Sequence, residues 1–276
     1  MTLKNKIDFA VIFTIKNANP NGDPLGGNRP RTTSDGLGEV SDVCLKRKVR
    51  NRLQEMGNDI FVQSDENNTD GKKSLSERFN FFLASLPKDE QKNKDIVAEK
   101  ACKRWLDVRS FGQVFAFKKV GDVDEVSLGV RGPVTIQSAF SREPITIESI
   151  QITKSVNSET TESGKKSSDT MGMKHRVNNA VYVTYGSISP QLAERTGFSD
   201  EDAEKIKNAL ATLFEGDESS ARPSGSMNIK NVIWFRHETK AGQYSSAKVH
   251  DSVQVDNEGG YKIIPLDGLV PEIIGG

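Results

Sequence analysis

Apolar and polar residues alternate at the start of the chain. From Ile7 to Lys16 an apolar side chain occupies nearly every second position, and Ala10 and Ile12 add apolar residues to the opposite face. Alternation with a period of two is typical of a β-strand. Apolar residues on both faces indicate a strand that is partly buried on both sides. The pattern therefore predicts a strand with apolar residues packed against both of its faces.

A helical pattern follows a polar loop of residues 17–40. Ser41 is a suitable N-cap, and Gly57 is well placed to end the helix. Four apolar residues recur at intervals of three and four, which predicts a core-facing stripe. They are Leu45, Val49, Leu53 and Met56.

Short strands and further helices are predicted over the rest of the chain. Ser74 begins a helix with a capping-box pattern, and Ser199 caps the most regular helix, whose first turn carries Asp200, Glu201 and Asp202. β-Branched and aromatic runs between glycines and prolines predict the strands. These are residues 108–117, 128–138, 144–153, 177–188, 227–235, 248–255 and 261–266.

The order of these elements predicts an α+β fold. Residues 58–106 read as an insertion of loops and helices. Without them the order is strand, helix, two or more strands, helix, strand, which is the βαββαβ pattern of ferredoxin-like and RRM folds. Residues 155–172 contain almost no apolar side chains and are predicted to be a flexible loop or the tip of a long hairpin. A single RRM-like domain over residues 1–276 is therefore expected.

Composition indicates a polar protein without a membrane span. The chain has 276 residues, 35% of them hydrophobic and 28% charged, with a mean hydropathy of −0.54. Its N-terminus starts with basic residues but has no apolar signal core behind them, and we expect a cytoplasmic protein. Two cysteines are too few for a disulfide framework.

Motifs for cofactors and catalysis are weak. The three histidines show no metal-ligand spacing with each other or with the cysteines. Residues 164–167 (GKKS) resemble the end of a Walker motif but lack its first glycine. We therefore expect no cofactor, no metal and no enzymatic activity.

Positive charge is concentrated on the first helix. Residues 46–52 (KRKVRNR) contain five cations in seven positions, although the whole chain has 38 basic and 38 acidic residues. Such a cluster is often a solvated surface whose lysines cover apolar neighbours. Like charges this close repel unless an anion lies nearby, and the preceding loop offers backbone N–H groups and asparagines for phosphates. A nucleic-acid site is the favoured interpretation.

Ordered sequence blocks resemble a known family. Residues 19–24 (NPNGDP), followed by a Gly/Arg loop and residues 41–50 (SDVCLKRKVR), are similar to the opening of the CRISPR-associated backbone subunits of type I effector complexes, the seventh Cas family. The subtype I-C branch is the most similar, and I-B is the near alternative. Later blocks resemble the same family in the same order. They are residues 107–112 (DVRSFG), 131–134 (RGPV), 170–175 (TMGMKH) and 220–225 (SARPSG).

The resemblance implies a structural role on RNA. Several copies would form a helical filament along one CRISPR RNA, each with a modified RRM palm and a thumb hairpin at residues 140–176 that kinks the RNA. The guide would be presented for pairing with target DNA, so that base pairing reads sequence while the protein holds the backbone. The implied partners are the CRISPR RNA, other copies of the chain, and the large, small and guide-end-capping subunits of the complex, with no membrane.

The resemblance also implies which residues of this chain would contact RNA, by their positions in the matching blocks. The implied wedge at the kink is Met171 or Met173, and the other candidates are in the loop after the first strand, on the basic helix, in the thumb and in a later loop. They are Asn19, Asn21, Ser41, Lys46, Arg47, Arg50, Lys174, His175, Arg176, Arg222 and Ser224.

Two alternatives remain open from the sequence. Ferredoxin-like folds also host endoribonucleases that process RNA, and function is set by the site rather than the fold. His175 is the one histidine near the proposed RNA surface and would be the catalytic candidate. The other alternative is a protein-binding scaffold with an incidental basic helix.

Overall fold

A computed structural model of the chain describes residues 1–117, 126–153 and 171–275. The α-helices in these ranges are α1 (Asp42–Glu55), α2 (Leu75–Ala84), α3 (Lys94–Arg104), α4 (Leu106–Phe111), α5 (Pro190–Thr196), α6 (Asp200–Ala211) and α7 (Ser246–Ser252). The strands are β1 (Ile7–Ala18), β2 (Gly22–Asp23), β3 (Arg29–Pro30), β4 (Leu37–Val40), β5 (Gly112–Phe117), β6 (Val126–Arg131), β7 (Val134–Ile136), β8 (Ala139–Pro144), β9 (Ile147–Thr153), β10 (Met171–Ile188), β11 (Met227–Arg236), β12 (Val253–Val255), β13 (Tyr261–Ile263) and β14 (Glu272–Gly275). In these ranges, the helices are all too short or too polar to cross a bilayer.

An antiparallel sheet of eight strands organises the molecule. Its main path runs β14-β11-β1-β10-β8-β4, and β7 and β9 also pair with β10. β1 lies between β10 and β11, with Ile7 opposite Ile188 on one side and Arg236 on the other.

Both faces of the sheet are covered. On one face, alternate residues of β1 from Ile7 to Ile15 pack with the apolar stripes of α1 and α6. On the other face, Ala10 and Ile12 pack against α7 and β12 through Val249 and Val253. The alternating pattern of β1 therefore separates two cores, as its apolar residues on both faces predict. Met56 lies outside the core stripe predicted for α1, because it is the C-cap residue of that helix and is exposed.

A third core lies between α2, α3, α4 and the β5–β6 hairpin. It is rich in aromatic rings, and Phe61 contacts Trp105 at a centroid distance of 4.7 Å and Phe115 at 5.1 Å. Phe79 stacks on Phe115 at 4.5 Å. This cluster is separate from the two cores of the large sheet.

Two predicted strands are partly wrong, one at its start and the other in its middle. Residues 108–111 belong to the helix α4, and the strand begins only at Gly112, whose φ of 78° ends the helix. The predicted strand 128–138 is interrupted at Gly132, where a Cβ would lie 2.3 Å from the carbonyl oxygen of Ser110. The blocks DVRSFG and RGPV therefore meet, and their glycines allow two backbones to approach closely.

The predicted strand 248–255 is also mostly wrong. Its first part is the helix α7, because the hydroxyl of Ser245 accepts a hydrogen bond from the backbone N–H of Lys248 at 3.3 Å and caps it. Only Val253–Val255 is a strand, paired with β13. A serine cap followed by about two helical turns carries little periodicity, so the sequence pattern missed it.

Asp107 joins the third core to α1. Its carboxylate accepts hydrogen bonds from the backbone N–H groups of Phe61 at 2.7 Å and Val62 at 3.1 Å, and from Nε of Arg50 at 3.0 Å. The side chain is buried, so each of these groups would lack a partner without it. Two residues along, Arg109 donates to both carboxylate oxygens of Asp202 on α6 at 2.9 and 2.8 Å.

Removing the Asp107 carboxylate should destabilise the fold strongly. Asp107→Ala leaves the half-buried guanidinium of Arg50 and two backbone donors without their carboxylate, and we expect the free energy of unfolding to fall by about 3 to 5 kcal/mol. Asp42→Ala is the matched control, since the pair of Asp42 with Lys46 is partly exposed and should contribute at most about 1 kcal/mol. Urea unfolding measures both, and equal losses would contradict the prediction.

Candidate nucleic-acid interface

Three segments converge at the N-terminus of α1. The side-chain oxygen of Asn21, just after β1, accepts hydrogen bonds from the backbone N–H of Ser41 at 3.0 Å and from its hydroxyl at 2.9 Å. Ser41 in turn caps α1 by accepting from the N–H of Cys44 at 3.3 Å. Asn21 therefore fixes the loop after β1 against the first turn of the basic helix.

Asn19 is a buried residue that links neighbouring segments in this region. Its side-chain Nδ2 donates to the carbonyl of Asn28 at 2.7 Å, and its backbone N–H donates to the carbonyl of Ala221 at 2.9 Å. The residue is only 5% exposed. Asn19 thus ties the end of β1 to the β2–β3 hairpin and to the loop before β11, and it does not present its amide at the surface.

The cations of α1 are mostly neutralised by carboxylates of the same chain. The described pairs are Lys46 with Asp42, Lys48 with Asp217, Arg50 with Asp107, and Arg52 with both Glu55 and Glu215. The exception on the helix is Arg47, which is exposed and has no ion-pair partner among the described residues. The nearby anions that the sequence analysis expects for these charges are thus carboxylates of the chain itself, except at Arg47. Arg50 also lies away from the exposed side predicted for it, because it reaches the buried Asp107.

Lys48 is the most deeply placed of these cations. Burial lowers the pKa of its ammonium group, and the neighbouring carboxylate of Asp217 acts against that shift. Asp217 also accepts from Nε of Arg222 at 2.9 Å. The ammonium of Lys48 lies 5.9 Å from the centre of the Phe214 ring. Lys48 and Arg222 thus share one carboxylate, and this sharing holds the loop before β11 against α1.

Arg222 and Ser224 belong to that loop. The guanidinium of Arg222 is held through Nε, which also donates to the carbonyl of Asp217 at 3.2 Å. Its two terminal nitrogens have no partner in the described part of the chain, and Ser224 is exposed beside them. Arg222 therefore combines a fixed position with free donors.

The β9–β10 arm carries the remaining candidates. The ring Nδ1 of His175 lies 2.8 Å from the hydroxyl of Ser149, which accepts from Arg29 of β3 at 3.1 Å. Arg176 pairs with Glu148 at 2.8 Å. The remaining candidates here are half-buried Lys174, opposite Ile150 on β9, and Met173, whose side chain is 55% exposed. The side chain of Met171 and the predicted flexible tip, apart from the backbone of residues 171 and 172, lie outside the described residues.

These contacts connect α1 to the arm through the loop after β1. Lys48 pairs with Asp217, which also binds Arg222, and the loop that holds Arg222 accepts a hydrogen bond from the backbone of Asn19. The side chain of Asn19 bonds to Asn28, and the next residue, Arg29, is linked to His175 through a serine hydroxyl that both contact. Candidates from four separate sequence segments are thus brought into one connected network. The sequence analysis missed Asp217, Arg29 and Ser149, because no spacing links them to their partners.

Family comparison agrees with this architecture. The family model of CRISPR-associated protein Cas7 matches residues 5–265 of the chain. The chain belongs to the Cas7 family. A curated relative, CRISPR-associated protein Cas7 of Haloferax volcanii, is 25% identical over 287 residues, which cover 99% of this chain and 82% of the relative.

Solved structures show the same fold for this Cas7-family chain. A chain of a structure described as a CRISPR RNA-guided surveillance complex, pre-nicking, matches it with a TM-score of 0.50 and 18% identity. The match covers 83% of this chain and 78% of the other. At this identity the likeness is one of fold, and it agrees with the mixed α+β architecture and its large antiparallel sheet.

Asp217→Ala should reveal the free-energy cost of burying the Lys48 ammonium group without its carboxylate partner. The variant leaves a buried ammonium unpaired, so the free energy of unfolding should fall by about 3 kcal/mol at neutral pH. Without its partner the pKa of Lys48 falls further in the folded state. The folded state then binds fewer protons than the unfolded state, and the loss should shrink as the pH rises towards about 10.

Glu215→Ala is the matched control for this variant. Glu215 pairs with Arg52 at the surface, with 63% of its side chain exposed, so its removal should cost at most about 1 kcal/mol. Urea unfolding at neutral and alkaline pH measures both variants. A loss for Asp217→Ala that equals the control, or that does not change with pH, would contradict the role of this pair.

Proposed function

We propose that this Cas7-family chain is a non-catalytic backbone subunit that binds CRISPR RNA in a type I antiviral surveillance complex. Family membership supports the role, as do a relative named Cas7 and a fold shared with a chain of an RNA-guided surveillance complex. The observation that carries the RNA-binding proposal is Arg47 on α1, an exposed cation without an ion-pair partner among the described residues. Arg222, which Asp217 links to Lys48 of the same helix, supplies a second positive group.

The finer architecture is part of the proposal. The strand order β11-β1-β10-β8, with α1 and α6 on one face, supports a modified RRM or ferredoxin-like palm. The separate aromatic core supports residues 58–106 as an inserted helical region, although it also includes α4 and the β5–β6 hairpin. The β9–β10 arm supports residues 140–176 as the thumb.

The proposed RNA surface differs from the one expected from position alone. We assign RNA contact to Arg47 and Arg222, with Ser224 beside them, and at the arm to Met173, Lys174 and His175. Asn19, Asn21, Ser41 and Arg50 are assigned to positioning, because the side chain of each makes at least one hydrogen bond within the chain. Lys46 and Arg176 are each paired with a carboxylate that is itself partly exposed, and RNA would compete with those pairs.

Contacts of this kind hold the sugar–phosphate strand without reading bases. Guanidinium groups and backbone donors give binding that tolerates any sequence and weakens with salt. We propose that several copies line one guide and leave recognition of target DNA to base pairing. The other proposed partners are the remaining subunits of the complex, in the cytoplasm, and subtype I-C is the proposed branch.

The endoribonuclease alternative gains no support from the histidines. The ring of His175 bonds to Ser149 on the arm. His237 and His250 lie elsewhere, around the buried carboxylate of Asp8, at 2.8 and 3.8 Å. The described histidines therefore do not converge on one site, so we favour binding over cleavage.

Arg47→Ala should weaken RNA binding in a salt-dependent way. Losing one phosphate contact should reduce affinity roughly tenfold at low salt and lower the slope of log affinity against log salt by about 1. The expected readout is filter binding or fluorescence anisotropy with a labelled CRISPR RNA. The melting temperature should change little, because the side chain is exposed and unpaired in the described structure.

Arg52→Ala is the matched control on the same helix. Its guanidinium is already engaged by Glu55 and Glu215, so the salt slope should stay at the wild-type value. An unchanged slope for Arg47→Ala would refute the assignment of Arg47. Discrete RNA cleavage that disappears in His175→Ala would refute the non-catalytic role.

A further inference from the structure

A buried carboxylate lies beneath α7, on the sheet face opposite to α1. Asp8 of β1 is fully buried, and alternation places it on the same face as Ala10 and Ile12, which α7 covers. One carboxylate oxygen, Oδ2, lies 2.9 Å from Nζ of Lys6 and 2.8 Å from Nε2 of His237. The other oxygen, Oδ1, has no hydrogen-bond partner among the described residues. Lys6 therefore neutralises Asp8, while half of the carboxylate lacks a donor.

His237 connects this carboxylate to the loop before α7. Its Nε2 faces Asp8, and its Nδ1 lies 3.0 Å from both the backbone N–H and the side-chain oxygen of Gln243. The neutral ring can accept from that N–H, and the charged ring can donate to that oxygen. Lys6 also reaches the loop, because its Nζ donates to the carbonyl of Tyr244 at 3.1 Å. His237 thus has a partner in either protonation state.

His250 is the group of α7 that faces Asp8. Its Nε2 lies 3.1 Å from the carbonyl oxygen of Gly186 on β10 and 3.8 Å from Oδ1 of Asp8. Because a carbonyl only accepts, Nε2 carries the proton of the neutral ring, and the longer distance is beyond hydrogen-bond length. The ring stacks on Tyr185 at a centroid distance of 5.0 Å. A neutral imidazole therefore fixes α7 to the sheet.

The helix has few other attachments. Val249 is its one fully buried apolar side chain, and the carbonyl of Ser252 accepts from the backbone N–H of Ile264 at 2.8 Å. Ala247, Lys248 and Asp251 are exposed. Segments with few buried apolar contacts open locally at lower free energy than the core. A change in one side chain beneath α7 can therefore shift its docking.

A positive charge on the His250 ring is disfavoured in the docked helix. Burial is the largest effect and lowers the pKa of the ring, while the carbonyl of Gly186 and the carboxylate of Asp8 act to raise it. Lys6 lowers it again, because its ammonium group already neutralises Asp8. The titratable groups around the ring and the carboxylate are Lys6, Asp8, Tyr185, His237 and Asp251. Asp251 favours the charge least among the groups that raise the pKa.

We propose that α7 is an acid-sensitive latch: protonation of His250 releases the helix and uncovers the apolar sheet face beneath it. A released ring reaches water and titrates near pH 6.5, the usual pKa of histidine. The released state then binds more protons than the docked state, so docking is complete above about pH 6.5 and weakens as the pH falls below it. The latch lies on the face opposite to α1 and does not depend on the proposed function.

Hydrogen exchange of the α7 backbone amides between about pH 5.5 and 7.5 tests the latch. Uptake of one proton on release should lower their protection factor, corrected for the intrinsic rate, by up to about tenfold per pH unit below about 6.5. His250→Gln keeps an amide donor for the carbonyl of Gly186 and cannot be charged, so its α7 protection should not change with pH. The amides of β1 should stay protected throughout, because β1 lies between two strands.

His175→Gln is the matched control, since it removes a histidine of the arm that bonds to Ser149 and not to α7. It should keep the wild-type pH response. Titration of the imidazole C–H signals of the wild-type chain gives a second measurement that needs no variant. The His250 ring of the folded chain should titrate together with the loss of α7 protection.

Three results would overturn the latch. The first is wild-type α7 protection that stays constant over the whole range. The second is an equal pH response in His250→Gln, which would assign the effect to another group. The third is loss of β1 protection in step with α7, which would show that acid unfolds the whole chain rather than releasing one helix.

Discussion

The basic helix α1 is neutralised from within its own chain, and the rest of the architecture follows from that constraint. A run of cations on two turns would repel if left unpaired. Instead Asp107 from α4 and Asp217 from the loop before β11 each approach the helix and pair with one cation. The same carboxylates bind a second element, so neutralising the helix also fixes the third core and the Arg222 loop around it.

This arrangement explains why the sequence blocks contain both charged residues and glycines. In DVRSFG the carboxylate of Asp107 and the guanidinium of Arg109 link α4 to α1 and α6. The final residue, Gly112, allows the chain to turn beside Gly132. These positions would be read from sequence alone as candidates for binding. In the structure they assemble the frame around α1, where Arg47 is the cation without an ion-pair partner among the described residues.

Local sequence signals predicted the elements that local interactions determine. β1 and the helices capped by Ser41 and Ser199 were found because alternation and side-chain caps act within a few residues. The short helices α4 and α7 were missed, because one or two turns hold too few residues for a period to show. The partners of the α1 cations were also missed. Arg50 and Asp107 are 57 residues apart, and Lys48 and Asp217 are 169 residues apart, so only the folded chain brings them together.

A neutral chain can therefore still present a specific positive surface. Internal pairing engages most cations of α1, and pairing can also hold a cation in place without using all of its donors. Arg222 illustrates this, because one side of its guanidinium is held by Asp217 while its terminal nitrogens stay free. A phosphate approaching such a donor meets a group that loses little side-chain freedom on binding. A run of cations in the sequence thus overestimates the number of RNA contacts. The carboxylates that pair with these cations in the folded chain identify which of them remain available to RNA.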